Sequence, residues 1–173
     1  MHEKDQGNEH LSKVSIRKAT IDDISIITGL EEKAFGDKDE FELRSDSEGL
    51  PSFFLGNNES FIAFHENQPV GFMLVEREPD KLLLHQWAID PAFREFQNHI
   101  FRNIMLNHLL SLANRLPVSM NARDKTLERS LKKPEVKRLI DSRHYYLTEN
   151  PRSIKVGKES FHNVTLTFME NYN

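Results

Sequence analysis

The amino-acid sequence predicts an α+β fold of the three-layer type, in which helices flank a mixed, mainly antiparallel central sheet with one parallel strand pair. Three observations predict it. A buried strand and a long amphipathic helix follow each other over Lys81–Arg115. Two strand-like runs, Phe61–Phe64 and Val70–Val75, precede that strand and are separated by a short polar turn. Another strand-like run, Leu116–Asn121, follows the helix, and a crossover of this length normally joins parallel neighbours.

Length and composition place the chain among globular proteins of ordinary size. Its 173 residues suit one domain, and 38% hydrophobic with 29% charged residues suit a packed core under a polar surface. The net charge of −4 and the lack of a basic cluster argue against a nucleic-acid partner. Because the chain has no cysteine, it has neither a disulfide framework nor a thiol nucleophile.

The N-terminal residues 1–13 are predicted to form a disordered tail in front of a single domain over residues 14–173. They contain one large aliphatic residue besides the initiator methionine and lack the apolar segment of a signal peptide. No apolar run in the sequence approaches the roughly 20 residues that a membrane-spanning helix needs. These features predict a cytoplasmic protein without a membrane partner.

The first strand is predicted at Val14–Lys18, where apolar and polar residues alternate. Thr20 then suits a helix N-cap, and Asp23 at the third helical position completes a capping box. The helix that follows is predicted to end near Gly36, which supplies a left-handed cap. A short helix and a loop are expected over Asp37–Ser52. The residues along one side of the first helix are Ile24, Ile27, Leu30, Glu31 and Ala34.

The hairpin over Phe61–Val75 continues through a turn at Pro79–Lys81 into the strand Leu82–Ile89, which gives a three-stranded antiparallel meander. The dense apolar residues of this third strand predict that both its faces are covered, and Pro91 ends it. In the long helix, apolar residues recur at three- and four-residue steps, which predicts that one face packs on the sheet. These residues are Ile100, Phe101, Ile104, Met105, Leu109 and Leu112.

Beyond the fifth strand, the sequence predicts a short helical piece at Thr126–Leu131. A second helix is predicted to begin with Pro134 at its first position and to run through Tyr146, ending before Pro151. The last strand is predicted at Val164–Phe168, where β-branched residues alternate with others.

Three local stretches carry a family resemblance. They are VSIRKATIDDISIITGLEEKAF at Val14–Phe35, Val70-Gly71-Phe72 after the Asn67-Gln68 turn, and Ile89-Asp90-Pro91-Ala92-Phe93-Arg94. Together they resemble the first strand and helix with its R-x-A-T-x-x-D entry, the second hairpin, and the V-x-P-x-Y-R strand ending of the GNAT superfamily of acyl-CoA-dependent N-acyltransferases. The order of elements over residues 14–170 is also similar. The resemblance implies a GNAT fold, acetyl-CoA as co-substrate, and a small-molecule or peptide amine as acceptor.

A strand that runs into a loop and a helix N-terminus directs backbone N–H groups and the positive end of the helix dipole at one spot, which suits a phosphate-bearing ligand. In the family this loop reads R/Q-x-x-G-x-G/A and holds the CoA pyrophosphate, whereas here both glycines are missing after Arg94. The resemblance therefore implies a degenerate phosphate loop. The residues that it assigns to acetyl-CoA are Trp87, Ala88, Ile89, Arg94, Glu95, Phe96, Gln97, Asn98, His99 and Asn121.

Physical magnitudes indicate that the loss of the glycines weakens this site without excluding it. Holding a non-glycine residue at positive φ costs roughly 1–2 kcal/mol. Each charge-assisted hydrogen bond to phosphate contributes about 1.5–3 kcal/mol, so two or three such bonds outweigh the strain. Glu95 repels a pyrophosphate, while Arg94 attracts it.

Amine acetylation needs a base that takes a proton from the attacking amine and an acid that protonates the departing thiolate. In the family the base often lies on the strand before the phosphate loop, where this sequence has His85. Imidazole suits that role, although His85 could instead be a half-exposed residue that fills a sheet face. Gln86 faces the opposite way, and it either orients the acceptor or is an ordinary polar strand residue.

The acid of the family is often a tyrosine after the following strand. The resemblance therefore implies Tyr145 or Tyr146, the nearest tyrosines downstream, although either could pack its ring at a helix end. Asn121 matches a polar residue that the family often carries at the end of that strand, or it caps the next helix.

No metal site is expected, because no two of the eight histidines stand four residues apart with an acid between them. His99 and His108 are nine residues apart and do not share a helix face closely. Five cationic residues are interpreted as solvated helix faces, although the last four could reach the CoA 3′-phosphate. They are Arg102, Lys132, Lys133, Lys137 and Arg138.

The sequence thus predicts an N-acyltransferase that moves an acetyl or related acyl group from acyl-CoA to a primary amine. Two alternatives stay open. One is a non-catalytic GNAT-fold module that binds a ligand or a protein and has lost normal CoA binding. The other is a family member with a different acyl carrier, for which a loop without glycines matters less. The acidic stretch Asp37–Glu48 suits a cationic acceptor, or it is a solvated loop.

Overall fold

The computed structural model describes residues 13–35, 49–123, 130–156 and 159–170. Within them, a seven-stranded sheet has the strand order β1-β2-β3-β4-β5-β7-β6. The strands are β1 Val14–Lys18, β2 Phe61–His65, β3 Gln68–Arg77, β4 Leu82–Ile89, β5 Val118–Arg123, β6 Tyr145–Val156 and β7 Glu159–Phe168. The helices that flank the sheet are α1 Ile24–Phe35, α2 Gly49–Phe54, α3 Ile100–Ala113 and α4 Pro134–Ser142.

The predicted fold class is confirmed. β1 pairs with β2, β2 with β3, β5 with β7 and β6 with β7 in antiparallel register. β4 and β5 pair in parallel, with Leu82–Leu84 opposite Val118–Met120, as the strand–helix–strand crossover predicts.

Contacts within the chain divide it into two compact units. The first contains the described residues up to Val75 together with Gln86–Met105, and the second contains Glu76–His85 together with the described residues from Leu106 onward. The single domain over residues 14–173 stays a prediction. The predicted tail lies outside the described residues apart from Lys13, which forms a turn.

The first unit begins as its sequence predicts. The N–H of Thr20 donates to Asp23 Oδ2 at 2.8 Å, so Asp23 serves the capping box, and a 3₁₀ turn at Ile21–Asp23 leads into α1. Arg17 adds two hydrogen bonds to the Asp23 carboxylate, at 2.7 and 2.9 Å. The predicted cap at Gly36 and the acidic stretch that follows lie outside the described residues.

One face of the sheet in the first unit packs on α1 and α2. Ile27 and Leu30 of α1 are buried, as predicted, while Ala34 is only partly buried. Glu31 is also fully buried. The buried members of this core cluster are Ala19, Ile27, Leu30, Leu50, Ile62, Phe72, Leu74 and Ala88.

The predicted face of α3 needs a correction. Phe101, Met105 and Leu109 are buried as expected, but Ile100, Ile104 and Leu112 are only partly buried. The buried set is shifted around the helix and contains Phe101, Arg102, Met105, Leu106, Leu109, Leu110 and Ala113. Arg102, interpreted above as solvated, is 6% exposed, and its Nε donates to Asn103 Oδ1 at 3.2 Å.

The predicted helix through Tyr146 is wrong at its end. α4 stops at Ser142, because His144 has φ of 62° and its N–H donates to the carbonyl of Asp141. The chain then forms β6, in which Tyr145 is buried and Tyr146 exposed, the alternation of a strand. Pro151, expected to follow a helix, lies within β6, which is tolerated because β6 is an edge strand. The short helix predicted at Thr126–Leu131 lies mostly outside the described residues.

Candidate functional site

The end of β4 is fixed by Asp90, which is buried in the first unit. Its N–H donates to the carbonyl of Val70 at 2.7 Å, and its carboxylate accepts the N–H of Ala92 at 3.0 Å. Lys33 of α1 lies 3.6 Å from the same carboxylate. Pro91 opens a 3₁₀ turn at this point, so the chain leaves the sheet in one defined direction.

The loop between this turn and α3 has an unusual backbone. Gln97, Asn98 and His99 are consecutive non-glycine residues with positive φ, of 45°, 57° and 61°. Within the described part of the chain, no backbone hydrogen bond uses their N–H groups, and the side chains of Gln97 and Asn98 are exposed. These N–H groups directly precede the N-terminus of α3, where the helix dipole is positive.

Four aromatic rings pack against one another at this loop. Phe93 precedes it, Phe96 lies within it, Phe101 follows it on α3, and His65 comes from the end of β2. Each ring contacts the other three, with centroid distances between 5.2 and 5.9 Å. These rings are called the aromatic cluster below.

The free energy that the ring contacts contribute is similar in size to the free-energy cost of the strained backbone. Three residues at positive φ cost about 3–6 kcal/mol at roughly 1–2 kcal/mol each. Six ring pairs contribute about 3–9 kcal/mol at roughly 0.5–1.5 kcal/mol each. Ring contacts are thus large enough to hold a backbone that glycine would otherwise adopt with little strain.

Arg94 ties the loop to the rest of the first unit. Its Nε donates to the carbonyl of Ile89 at 3.3 Å, and its Nη2 donates to the carbonyl of Ala34, in the last turn of α1, at 3.1 Å. The guanidinium therefore lies against the negative end of the α1 dipole. Glu95 beside it is exposed. The sequence assigned Arg94 to the phosphate, and the structure gives it an anchoring contact as well.

Two neighbouring side chains on β4 carry buried polar atoms without a partner. Gln86 Oε1 and Trp87 Nε1 are both shielded from solvent, and neither makes a hydrogen bond within the described residues. Gln86 shares its strand face with Ala88 of the core cluster, while Trp87 points to the opposite face. Such atoms cost about 1–3 kcal/mol each when left unpaired. Because the two side chains point to opposite faces of β4, each indicates a separate position at which a ligand atom would find a partner.

The second unit places the predicted base beside an acid. His85 Nε2 lies 2.8 Å from Glu76 Oε2, with side chains 25% and 42% exposed. When Nε2 carries the proton and donates it to this carboxylate, Nδ1 carries the lone pair. Glu76 was not among the residues predicted from the sequence, although its position near the end of β3 is one from which a side chain can reach the neighbouring strand.

The two predicted tyrosines have different environments in the second unit. Tyr145 is 2% exposed, and its hydroxyl donates to the carbonyl of Leu116 at 2.8 Å. Burial raises the pKa of the Tyr145 hydroxyl. Tyr146 is 43% exposed. Tyr145 is thus held in the core, whereas Tyr146 points to solvent.

Asn121 lies in β5 opposite Asn163 of β7, and nothing is described of its side chain. Next to it, Asn163 Nδ2 donates to the hydroxyl of Ser119 at 3.1 Å.

Among the described residues, no group of three His, Cys, Asp or Glu side chains could hold a metal ion. No helix in the described ranges is long and apolar enough to cross a membrane. Burial lowers the pKa of His108 on α3.

No protein-family model matches the sequence, and no curated protein sequence matches it. Solved structures do. A histone acetyltransferase HPA2-related protein from Corynebacterium glutamicum has a TM-score of 0.66 at 13% identity, covering 92% of this chain and 99% of that one. The ribosomal-protein-S18-alanine N-acetyltransferase from Escherichia coli has a TM-score of 0.61 at 15% identity, covering 92% and 99%.

A third structure is the diaminobutyrate acetyltransferase from Paenibacillus lautus, in complex with L-2,4-diaminobutyric acid and coenzyme A. It has a TM-score of 0.62 at 15% identity, covering 92% of this chain and 98% of that one. Likeness at this identity establishes the fold, which is that of the GNAT superfamily.

Proposed function

We propose that the chain is an N-acyltransferase that moves an acetyl or related acyl group from acyl-CoA to a primary amine. The observation that carries the proposal is the loop at Gln97–His99, whose three residues have positive φ and whose N–H groups make no backbone hydrogen bond within the described residues, directly before α3. A pyrophosphate is the part of acyl-CoA that such a group of donors binds best. The GNAT fold of the chain supports the same reading.

The residues present fit acyl-CoA in two further respects. Trp87 Nε1 is a buried donor without a partner among the described residues, and the resemblance assigns the next residues of its strand, Ala88 and Ile89, to the same ligand. Arg94 adds a positive charge at the start of the loop. Acyl-CoA supplies an activated thioester carbonyl, and the roles of Trp87 and Arg94 are to bind and orient the molecule that carries it.

His85 is assigned as the base that takes a proton from the amine. Glu76 holds its Nε2 at 2.8 Å and so fixes the tautomer that leaves the lone pair on Nδ1. Tyr146 is assigned as the acid that returns a proton to the CoA thiolate, because its ring is exposed while the hydroxyl of Tyr145 donates to Leu116. The proton balance is then one taken from nitrogen and one given to sulfur.

The proposed acceptor is a primary amine. Structural neighbours act on L-2,4-diaminobutyric acid and on the alanine of ribosomal protein S18, both of which offer a primary amine.

A titration with acetyl-CoA tests the proposal through the amide resonances of the loop. We expect saturable chemical-shift changes at Gln97, Asn98 and His99, and smaller ones at Glu78 and Lys81, which lie outside the assigned residues. Binding that leaves the three loop amides unchanged, or no binding at millimolar acetyl-CoA, would contradict the proposal. Binding without transfer to any amine would indicate a ligand-binding module instead.

A further inference from the structure

We propose that the aromatic cluster of His65, Phe93, Phe96 and Phe101 is a clamp that holds the phosphate-binding loop in its binding-competent backbone, and that His65 is the positioning residue that completes it. The identity of the loop's ligand, acyl-CoA, rests on the proposed function. The clamp itself is a property of the free chain and is tested separately.

The loop needs support because its own residues supply little. Gln97 and Asn98 have exposed side chains and positive φ, so no packing of their own holds the backbone in this region. Hydrogen bonds hold only the flanks, since the N–H of Ile100 donates to the carbonyl of Phe96 and that of Asn103 to the carbonyl of His99. Besides the anchoring hydrogen bonds of Arg94 at the start of the loop, the ring contacts of Phe93, Phe96 and Phe101 are the restraint that the described residues offer.

His65 connects these three rings to the sheet. It is the last residue of β2, and the turn that follows is tight, with Glu66 and Asn67 at φ of 50° and 66°. The N–H of Glu66 donates to the carbonyl of Lys13 at 3.1 Å, and the two side chains form an ion pair at 2.8 Å. These contacts hold the end of the hairpin in place. The ring of His65, at this end, therefore restrains the three phenylalanine rings that it contacts.

The imidazole of His65 contributes its shape. Its closest ring neighbour is Phe96, in the loop itself, at 5.2 Å with an edge-to-face geometry. Its Nε2 is buried and makes no hydrogen bond within the described residues. Because Nε2 has no partner among the described residues, a phenyl ring at this position should pack on Phe96 as the imidazole does. An aliphatic or small side chain should not provide this ring contact.

The experiment compares His65→Ala and His65→Phe with the wild-type chain. Amide exchange is measured at Ile100 and Asn103 without ligand, and the Kd of CoA is measured by calorimetry. We expect His65→Ala to exchange both amides about tenfold faster and to bind CoA about tenfold more weakly. His65→Phe should stay within about twofold of wild type in both measurements.

Phe64→Ala is the matched control. It removes a ring from the opposite face of the same strand, where Phe64 packs on the core cluster under the guanidinium of Arg17. It should lower the melting temperature without changing exchange at Ile100 or the Kd of CoA. If His65→Ala does not fold, His65→Leu, which keeps an apolar side chain without a ring, takes its place with the same expected direction.

The possible results separate the two proposals. If wild-type chain does not bind CoA, the proposed function fails, and the exchange rates in the free chain still decide whether the clamp exists. If CoA binds but His65→Ala matches wild type in exchange and affinity, the clamp is refuted. Equal weakening by Phe64→Ala would also refute it, since the effect would then follow general destabilisation.

Discussion

Gly71 of β3 lies so close to Met105 of α3 that a β-carbon at this position would stand 3.1 Å from the methionine sulfur. The same β-carbon would be 2.9 Å from the carbonyl oxygen of Ala88 on β4. Real β-carbons essentially never approach a backbone atom this closely. Within the first unit, β3 therefore lies so near Ala88 of β4 and Met105 of α3 that only glycine fits at position 71. Ala88 is also one of the residues assigned to acyl-CoA, which makes Gly71 a support of the candidate site.

Gly71→Ala should therefore destabilise the chain by about 1–3 kcal/mol, because the carbonyl of Ala88 cannot move without shifting β4. It should also weaken acetyl-CoA binding. Chemical denaturation and calorimetry measure the two effects. Gly29→Ala is the control, since a β-carbon there meets no atom within 4 Å and the residue lies inside α1. That substitution should stabilise by about 0.5–1 kcal/mol, and a Gly71→Ala variant as stable as wild type would contradict the packing described.

Asp23 should make stability depend on pH in the acid range. The hydrogen bonds from Arg17, and then the one from the N–H of Thr20, lower the pKa of its carboxyl below the ordinary value of 3.8, against the opposing effect of burial. A lowered folded-state pKa means that the stabilisation is complete above about pH 3.8 and is lost as the pH falls through the folded value. Asp23→Asn should cost about 1–3 kcal/mol at pH 7.

The free energy of unfolding in urea at pH 7 and pH 3 tests this expectation. The difference between wild type and Asp23→Asn should shrink at the lower pH. Asp22→Asn is the matched control, because Asp22 is exposed in the same turn and should show little effect at either pH. A difference that is the same at pH 3 as at pH 7 would show that the charge of Asp23 does not stabilise the fold.

Substitutions at His85 and Glu76 should lower kcat to different extents, because His85 is assigned to transfer the proton and Glu76 to orient the imidazole. His85→Gln removes the base and should lower kcat by roughly 100- to 10,000-fold, with the KM for acetyl-CoA unchanged. Glu76→Gln leaves the imidazole but loses the carboxylate 2.8 Å from Nε2, and should lower kcat by about 10-fold. Glu78→Gln is the control, since its partner is Lys81 at 3.8 Å. Full activity in His85→Gln would remove the base assignment alone.

The two tyrosines should divide stability from catalysis. Tyr145→Phe loses the hydrogen bond to the carbonyl of Leu116 and should cost about 0.5–1.5 kcal/mol of stability with kcat unchanged. Tyr146→Phe should leave stability unchanged and lower kcat, because its exposed hydroxyl is assigned to the thiolate. Steady-state kinetics with melting curves on both variants measure this, and the reverse pattern would exchange the two assignments.

Much of the fold was predictable because its signals are local. The Thr20–Asp23 capping box, the hairpin before β3 and the crossover from β4 to β5 each depend on a few adjacent residues, and the structure has them where predicted. The start of β6 was missed because the helix that begins with Pro134 was predicted to run through Tyr146. α4 ends where His144 adopts positive φ, and a histidine in the sequence does not indicate such a conformation as a glycine would.

The candidate site was less predictable, because it depends on contacts between distant parts of the chain. The absence of glycines predicted that positive φ in this loop would be costly, but it did not indicate that Gln97, Asn98 and His99 would all adopt it. His65, 28 or more residues before the other three rings, carries no motif that links it to the loop. The unpaired Oε1 of Gln86 likewise depends on burial, which alternation along a strand indicates only in part.

The central claim is that a loop without glycines binds the pyrophosphate of acyl-CoA, and calorimetry with two ligands tests it most directly. Acetyl-pantetheine carries the thioester and the pantetheine arm but no pyrophosphate. The account predicts that acetyl-CoA binds with a Kd below about 1 mM and at least about tenfold more tightly than acetyl-pantetheine, a difference of about 1.4 kcal/mol. Equal affinity for the two ligands, or no heat from either at millimolar concentration, would contradict it.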